Sequence, residues 1–494
     1  MPFRRLIVSV AISLAIGNGS DDVRAAGVGD SVVKILTTHR QPDYFRPWTK
    51  AAPSKASGSG VVIDGRRILT NAHVVLFASE VFVQLKSGGD QLTAKVVAIA
   101  PGIDLALIEL KDPTKIEHLV EVPIADDLPE VKSEVSVYGY PTGGDDQSVT
   151  DGIVSRIEFT TYNYGAAGVR VQVDAALNPG NSGGPAIQKD KIAGLVFSKI
   201  EEADNIGYLI PPEEIRAFLS DVADGHYDGR PMMFDSYQTA ENDAVRAYLK
   251  LTPEQTGVIV AEPAGDGDYP LKKWDVITRI GDHAIDNQGY VAVRDGLRLK
   301  YMYYVPLLAK DGQIEIGVVR DGQPLTLHIP VTPDRNLVLA TLKDKYPEYF
   351  LYGPLVFTAA TQEYVRSLGG GGMSILAAIN SPILARIYDA PREKGEQLVV
   401  LASRMFPHPI TKGYDNRPLG VIDNLNGVHV KNLRHLAELL RDSQDEFLRF
   451  EMGDRSESLI FRRGELQAAT DQILEEEGIR YQASENLRDV FEGK

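Results

Sequence analysis

The segment Asn178–Pro185, with the sequence N-P-G-N-S-G-G-P, is the part of the chain best suited to covalent chemistry. Its serine, Ser182, lies among glycines, which allow a tight turn that exposes the hydroxyl while successive backbone N–H groups point into one concavity. Such a concavity can stabilise an oxyanion, with donors from Gly180 and Ser182 and a further one from Asn181. Taken alone, a turn of this composition is more often a surface loop. Its interpretation as a catalytic site therefore depends on whether other residues in the sequence could activate the serine.

Two further residues could serve this serine. His73 follows a predicted strand in an apolar setting, and Asp104 stands at the head of the apolar run Leu105–Leu110. Taken alone, the first is more often a core histidine and the second a turn residue. A buried carboxylate is costly without a partner, and a bond to the imidazole would meet that cost, fix the tautomer and leave the other ring nitrogen free to take the serine proton. We therefore expect Ser182 as nucleophile, His73 as general base and Asp104 as the carboxylate that orients it.

The three segments occur in the order His, Asp, Ser, and in this they resemble the chymotrypsin-like proteases. In detail, T-N-A-H-V, D-L-A-L-I and G-N-S-G-G-P resemble the motifs of the Deg/HtrA family. The resemblance implies a double β-barrel protease domain and an acyl-enzyme intermediate. It also implies that no nucleotide or other cofactor is required.

The same resemblance places the segments Gly194–Ser198 and Asn205–Pro211 beside the specificity pocket. Leu195, Val196 and Phe197 would then line an apolar pocket with no charge to attract Lys or Arg. Cleavage after small aliphatic residues is the expectation. The alternative is that each of the three is a core residue of the barrel.

Short runs of β-branched and aliphatic residues, separated by Gly, Asp, Asn and Pro, continue from about Val32 to Ala223. Closely spaced short strands indicate an all-β barrel or sandwich. A helical pattern occurs only at Pro212–Val222, where it would close the domain. Since 494 residues exceed what one core supports, we expect a protease domain over residues 26–228 and two further units.

The second unit, residues 229–333, mixes helix and strand patterns and ends in a predicted hairpin with the turn Asp321-Gly322. In the third unit, residues 334–494, the segment Gly420–Gly427 echoes Asp275–Asp282 at a constant offset of 145 residues. The echo favours a repeated module, although only two of the eight positions are identical, which leaves coincidence open. The run Gly369–Gly372 reads as a surface loop in an insertion.

The C-terminal half resembles the plant-type Deg subgroup through segments such as Asp442–Leu448 and Ala469–Leu474. The resemblance implies two α+β PDZ-like domains after the protease, the second concerned with assembly, and a homo-oligomer built from trimers. One departure concerns the carboxylate-binding loop expected near Met232–Asp235, which lacks the usual glycine. Because Asp235 would repel a peptide carboxylate, we do not expect this unit to capture C-termini.

The composition excludes several functions. The formal net charge of −16 argues against nucleic-acid binding, and the absence of cysteine excludes disulfides, thiolate metal sites and a cysteine nucleophile. Histidines such as His118, His226 and His283 show no zinc-like pairing. Acidic clusters such as Asp266-Gly267-Asp268 lack the ligand spacing of a calcium loop, so we expect no metal.

The N-terminus is typical of a secretory signal peptide. Arg4 and Arg5 precede the apolar run Leu6–Ile16, and Val23–Ala25 offers small residues for cleavage, which predicts a signal peptide over residues 1–25. The alternative is a buried strand or helix. An organellar transit peptide would be rich in Arg and Ser, so we expect a bacterial periplasmic or secreted protein. No other stretch is long and apolar enough to span a bilayer.

These features together predict a serine endopeptidase that degrades unfolded or damaged exported proteins without ATP. A holdase chaperone, which retains unfolded polypeptides with little cleavage, is the alternative from another class. An intact triad argues against a purely binding role. A regulatory protease with one dedicated substrate is a third hypothesis.

Overall fold

The computed structural model describes residues 27–85, 89–142, 144–162, 166–199, 207–265, 267–414, 419–453 and 457–491. The predicted signal peptide lies outside the described residues. The fold is mainly β, with two closed six-stranded barrels followed by two sheets that carry short helices. This architecture confirms the predicted fold class.

The first barrel closes in the order β1-β2-β3-β6-β5-β4. Its interior is filled by β-branched side chains, which suit a pleated, buried surface, and Val33, Ile35, Val62, Ile68 and Ile108 are fully buried. A single helical turn, α1, follows β3. The elements are β1 (Val32–His39), β2 (Ser54–Ile63), β3 (Arg67–Thr70), α1 (Ala72–Val75), β4 (Ala78–Gln84), β5 (Leu92–Ala100) and β6 (Leu105–Leu110).

The second barrel closes in the order β10-β11-β12-β9-β8-β7. The helix α2, predicted near Pro212–Val222, follows its last strand, and Ile215 and Phe218 on this helix pack into an apolar cluster shared by both barrels. The elements are β7 (Glu134–Gly139), β8 (Ser148–Thr161), β9 (Ala167–Val173), β10 (Pro185–Gln188), β11 (Lys191–Lys199), β12 (Gly207–Ile210) and α2 (Pro212–Asp221).

The second unit is a sheet in the order β13-β14-β15-β19-β20, with β16 paired to β15 and a separate β17-β18 hairpin. Asp321 and Gly322 both have positive φ, as the predicted hairpin turn requires. The elements are β13 (Ser236–Thr239), α3 (Asp243–Tyr248), β14 (Val258–Glu262), β15 (Val276–Ile280), β16 (His283–Ala284), β17 (Tyr290–Arg294), β18 (Leu297–Lys300), α4 (Val305–Leu308), β19 (Gln313–Arg320) and β20 (Gln323–Pro330).

The third unit is a sheet in the order β21-β22-β23-β24-β26-β27, with β25 paired to β24. Helices pack around it. The elements are β21 (Tyr349–Tyr352), β22 (Leu355–Ala359), α5 (Gln362–Ser367), α6 (Gly369–Ala378), α7 (Pro382–Ala385), β23 (Val399–Leu401), β24 (Val421–Leu425), β25 (Val428–His429), α8 (Leu433–Asp442), β26 (Phe447–Met452), β27 (Leu459–Arg462), α9 (Arg463–Glu476) and α10 (Arg488–Phe491).

The run Gly369–Gly372 is not the surface loop that we predicted, because it forms the first turn of α6. Each glycine in a helix costs about 1 kcal/mol relative to alanine, so the local sequence disfavours this helix. Leu376, one turn further on, is fully buried beside Tyr364 and Ile383. Tertiary packing of that side chain therefore decides the conformation.

The echo between the second and third units corresponds to the same backbone arrangement. β15 and β24 begin 145 residues apart, and each turns back into a two-residue strand through pairs that also differ by 145, Ile280 with His283 and Leu425 with Val428. Trp274 and Leu419, two residues before these strands, have φ values of 78° and 79°. The agreement favours duplication over coincidence.

The loop between β1 and β2 joins the first barrel to the third unit. The Trp48 ring lies 5.6 Å from Phe406 and 6.5 Å from Tyr349, centroid to centroid. The Tyr346 ring lies 5.3 Å from that of Phe77, centroid to centroid, at a tilt of 58°, and its hydroxyl donates a hydrogen bond to the Arg40 carbonyl. The third unit therefore packs against the first barrel close to α1. No helix among the described residues is long and apolar enough to cross a membrane.

Candidate active site

His73 and Asp104 are placed by two neighbouring strands. β3 pairs with β6 so that Thr70 lies opposite Ala106. His73 follows the end of β3 in the turn of α1, and Asp104 immediately precedes β6. Because adjacent antiparallel strands bring the end of one beside the start of the next, the two side chains meet at one edge of the first barrel.

The Asp104 carboxylate makes two hydrogen bonds to His73. Its Oδ2 accepts from the imidazole Nδ1 at 2.7 Å, and its Oδ1 accepts from the His73 backbone N–H at 2.8 Å. Only 2% of Asp104 is exposed, whereas 47% of the His73 side chain is exposed. Asn71 donates from Nδ2 to the Asp104 carbonyl at 3.0 Å, which supports the left-handed backbone there, with φ of 60°. The pair is thus rigidly oriented, with the far side of the imidazole facing outward.

The pKa of His73 reflects two opposing effects. Partial burial of the imidazole lowers this pKa, whereas the hydrogen bond to Asp104 and the charge of that carboxylate raise it. The carboxylate prevails, and the pKa of His73 lies above its ordinary value. An imidazole of raised pKa is a stronger base, which suits it to accept a proton from a hydroxyl.

Ser182 lies in the loop between β9 and β10, and two glycines make the loop possible. Gly180 and Gly183 have φ of 100° and 83°. A Cβ atom would lie 2.4 Å from the Tyr140 carbonyl oxygen at Gly180 and 2.2 Å from the Ser59 carbonyl oxygen at Gly183. No other residue fits either position. The sequence interpretation therefore placed these glycines correctly in a tight turn.

The hydrogen bonds of the Ser182 loop fix the directions of two of its backbone N–H groups. The Pro179 carbonyl accepts from Thr142 N–H at 2.7 Å, and the Asn181 carbonyl accepts from Gly184 N–H at 2.9 Å. A trans peptide directs its C=O and N–H to opposite sides. The Gly180 N–H therefore points away from Thr142, and the Ser182 N–H points away from the Gly184 N–H. Within the described ranges these two N–H groups donate to no protein acceptor.

Asn181 does not contribute the third donor that we expected. Its N–H already donates to the Asn178 carbonyl at 3.1 Å, and the residue is 2% exposed. The Asn181 N–H, which we predicted to bind the oxyanion, is therefore already occupied by a hydrogen bond within the loop.

The Ser182 loop packs directly against the elements that carry His73. A Cβ atom at Gly58 on β2 would lie 2.7 Å from the Val74 side chain and 3.3 Å from the Ser182 carbonyl. Among the described residues no hydrogen bond joins the His73 imidazole to the Ser182 hydroxyl. In a protease without substrate this bond is commonly long and tightens only when substrate binds.

The three predicted pocket residues have different environments. Leu195 is 0% exposed within the apolar cluster shared by both barrels, and Val196 is 2% exposed within the core that includes the interior of the second barrel, so the prediction that their side chains line an open pocket is wrong. In a closed barrel, inward-facing side chains fill the interior. Phe197 is only partly buried, and it alone of the three is available to a substrate.

Sequence reasoning missed Arg170, which lies beneath Phe197. Its guanidinium carbon is 4.3 Å from the Phe197 ring and 3.3 Å from the Tyr162 ring. The residue is 1% exposed, and burial lowers its pKa. In the sequence Arg170 alternates with the apolar residues Val169 and Val171, a pattern typical of a solvent-exposed polar position, so nothing indicates that the charge is buried.

The loop at Met232–Asp235 is occupied by its own side chain. The Asp235 carboxylate is 7% exposed and accepts hydrogen bonds from Ala264 N–H, Tyr237 and Tyr269 at 2.9, 3.1 and 3.0 Å. These donors are therefore not free to bind a peptide carboxylate. Across the part of the chain that the structure describes, no group of three or more acidic or histidine side chains could hold a metal ion.

Two six-stranded barrels with a histidine–carboxylate pair beside a glycine-flanked serine loop define a chymotrypsin-like serine endopeptidase. Residues 58–194 match the family model of the trypsin-like peptidase domain, and residues 338–486 match that of the PDZ domain. The second match confirms that the third unit is PDZ-like.

The relatives extend over nearly the whole chain. Protease Do-like 4, mitochondrial, of Arabidopsis thaliana is 37% identical over 90% of this chain and 83% of its own length. Protease Do-like 2, chloroplastic, of the same organism is 32% identical over 94% of this chain and 76% of its own length. The chain belongs to the Deg/HtrA family of Do-like serine proteases.

Solved structures to which this chain is similar include an HtrA-type protease. The HtrA-type protease AlgW with decapeptide is 24% identical, with a TM-score of 0.47 over 63% of this chain and 97% of its own. The names of the two Arabidopsis relatives refer to mitochondria and chloroplasts. The comparisons thus give no support to the bacterial periplasmic origin predicted from the N-terminus.

Proposed function

We propose that this protein cleaves unfolded or damaged polypeptides without ATP, with Ser182 as the nucleophile, His73 as the general base and Asp104 as the orienting carboxylate. The observation that carries the proposal is the bidentate contact of Asp104 with His73, through Nδ1 and through the backbone N–H. This contact leaves Nε2 as the imidazole nitrogen that can accept the Ser182 proton.

The reaction follows from this geometry. The Ser182 oxygen attacks the scissile carbonyl carbon while its proton passes to His73 Nε2, and the resulting oxyanion accepts from Gly180 and Ser182 N–H. Collapse expels the amine, which takes the proton from His73 and leaves an acyl-enzyme. A water molecule then repeats the sequence, with His73 again as base, and releases the acid.

The preference for small aliphatic residues is the finer part of the proposal. Phe197 offers an apolar surface, and the buried guanidinium of Arg170 stacks beneath it. A positive charge next to the pocket disfavours a Lys or Arg side chain of the substrate. Mass spectrometry of product ends tests the preference, and abundant cleavage after Lys or Arg would contradict it.

The central test is digestion of casein, an unfolded protein, without ATP, by the chain from residue 26 onward and by its Ser182→Ala variant. Cleavage by the first and none by the second supports the proposal, provided circular dichroism shows both folded. Binding of casein without cleavage by either protein would favour the holdase alternative. A narrow cleavage profile on several unfolded proteins would instead favour a regulatory protease.

Assembly is also proposed. The family membership and the PDZ-like third unit support a homo-oligomer built from trimers. Light scattering coupled to size exclusion measures the mass directly. A monomer, about 54 kDa for the full chain, across micromolar concentrations would contradict the assembly.

The compartment and the domain limits complete the proposal. The basic and then apolar N-terminus supports removal of residues 1–25 and a periplasmic or secreted location. The limits at residues 228 and 333 fall between the sheets of successive units. N-terminal sequencing of the mature protein after cell fractionation tests the first point, and limited proteolysis tests the second.

A further inference from the structure

Ser59 on β2 connects the first barrel to the oxyanion loop of the second. It is 0% exposed, and its backbone N–H donates to the Ser182 carbonyl at 2.8 Å. Its hydroxyl donates to the Gly180 carbonyl at 2.8 Å and accepts from Tyr140 N–H at 2.9 Å. One buried hydroxyl thus links three segments that are distant in sequence.

We propose that Ser59 is a positioning residue that holds the oxyanion loop in its active geometry, an inference that rests on the proposed role of Ser182. The Gly180–Asn181 peptide lies between the two oxyanion donors. Its carbonyl has Ser59 as hydrogen-bond partner, and the opposite N–H points to Asn178. This bond therefore sets the rotation of the peptide that separates the Gly180 N–H from the Ser182 N–H.

The second bond of the same hydroxyl acts on the other side of the loop. Tyr140 N–H donates to Ser59, and two residues further on Thr142 N–H donates to the Pro179 carbonyl. The Pro179 bond directs the Gly180 N–H into the concavity. Loss of the Ser59 hydroxyl would therefore loosen the Tyr140–Thr142 segment as well as the Gly180 carbonyl.

Glycine at position 180 makes this restraint necessary. A Gly residue adopts many backbone conformations, so the peptides on either side of Gly180 rotate at low cost unless their carbonyls are held. A rotated Pro179–Gly180 peptide would direct a carbonyl, not an N–H group, at the developing negative charge. The hole would then repel the oxyanion that it should stabilise.

A purely structural role of Ser59 predicts different results, because the loss of its hydroxyl would then lower the stability of the protein more than its kcat.

Ser31 provides the matched control. It is also a fully buried serine of the first-barrel region, and its hydroxyl donates to the Val120 carbonyl at 2.6 Å. Among the described residues its hydroxyl makes no hydrogen bond to the oxyanion loop, so Ser31→Ala removes a comparable bond away from the site.

The experiment compares Ser59→Ala and Ser31→Ala with the unmodified protein, using a fluorogenic peptide and a peptide aldehyde that forms a tetrahedral adduct with Ser182. Removal of one oxyanion donor costs about 10²- to 10³-fold in kcat, and a loosened hole should cost about 10- to 100-fold. We expect this loss in Ser59→Ala with KM nearly unchanged and aldehyde affinity reduced by the same factor. Ser31→Ala should keep the kcat and the aldehyde affinity of the unmodified protein.

Unchanged kcat in folded Ser59→Ala, or lower kcat with unchanged aldehyde affinity, would overturn the inference. If Ser59→Ala does not fold, Ser59→Cys keeps the size and a weaker donor and should show an intermediate kcat and aldehyde affinity. Full activity of Ser59→Cys would also overturn it. Failure of the proposed function is distinguishable, because the unmodified protein would then either not cleave casein or cleave it no better than Ser182→Ala does.

Discussion

Asp104→Asn tests the assignment of the histidine–carboxylate pair with almost no change of shape. In the folded protein the Asp104 Oδ1 accepts from the His73 backbone N–H, and Oδ2 accepts from Nδ1. An asparagine can keep the first bond with its carbonyl oxygen, but its NH₂ group then faces Nδ1. The imidazole must accept that bond, so its proton moves to Nε2, the nitrogen that should receive the Ser182 proton.

The expected loss of kcat is about 10⁴-fold, as is typical when the tautomer is reversed. At about 1.36 kcal/mol per tenfold, this corresponds to roughly 5 kcal/mol of activation free energy. The pH profile changes as well. The raised pKa of His73 means that activity in the unmodified protein rises with pH through a value above about 6.5. Without the carboxylate this pKa falls, and the acid limb should move to lower pH.

The assay is hydrolysis of a fluorogenic peptide between pH 5 and 9, with thermal unfolding as the check on folding. Asp190→Asn is the matched control, because Asp190 is exposed and has a left-handed φ of 58°, close to the 60° of Asp104. It should retain full activity. Near-normal kcat in folded Asp104→Asn, or an acid limb that stays in place, would refute the assignment.

Two further predictions concern the carboxylates of the half-buried Glu213 and the buried Asp235. Burial, aided by Glu214, raises the pKa of Glu213 to about 7, and this carboxylate accepts from Tyr303 of the second unit. A raised carboxylate pKa means that stability falls as pH rises from about 4.3 towards 7. Glu213→Gln should therefore raise the unfolding temperature at pH 8 and leave it nearly unchanged at pH 5, and an equal shift at both values would contradict this. Asp235→Ala removes the acceptor of three part-buried hydrogen bonds, from Ala264 N–H and from the half-buried Tyr237 and Tyr269 hydroxyls, and should cost roughly 1–3 kcal/mol in urea unfolding. The exposed Asp268→Ala should cost almost nothing. Equal midpoints for the two variants would refute the role of Asp235.

Local chemistry made parts of this protein predictable. The Asp321-Gly322 turn, the aliphatic run Leu105–Leu110 and the glycines around Ser182 each impose a conformation within a few residues. The strand ending before His73 and the strand starting after Asp104 follow from the same patterns. The pairing of these two residues was inferred from the cost of burying a carboxylate alone.

The predictions that failed concern residues whose contacts with distant parts of the chain override the conformational preference of the local sequence. Leu195 and Val196 pack into buried apolar clusters instead of lining a pocket, and Gly369–Gly372 is helical because Leu376 is buried. The burial of Arg170 could not be predicted either, since the alternation of apolar and polar residues in its strand does not show that the Tyr162 and Phe197 rings cover the polar face.

The sequence by itself determined the residue types of the site, the mainly β fold and the glycine turn around Ser182, because motif and backbone preferences act over short stretches. Only the tertiary structure decided which groups hold that turn. The Ser59 hydroxyl and the Gly180 carbonyl are 121 residues apart in sequence, and Thr142 reaches Pro179 across another loop. Closure of two barrels against each other brings these groups within hydrogen-bonding distance, and no local pattern records the position of a partner that far along the chain.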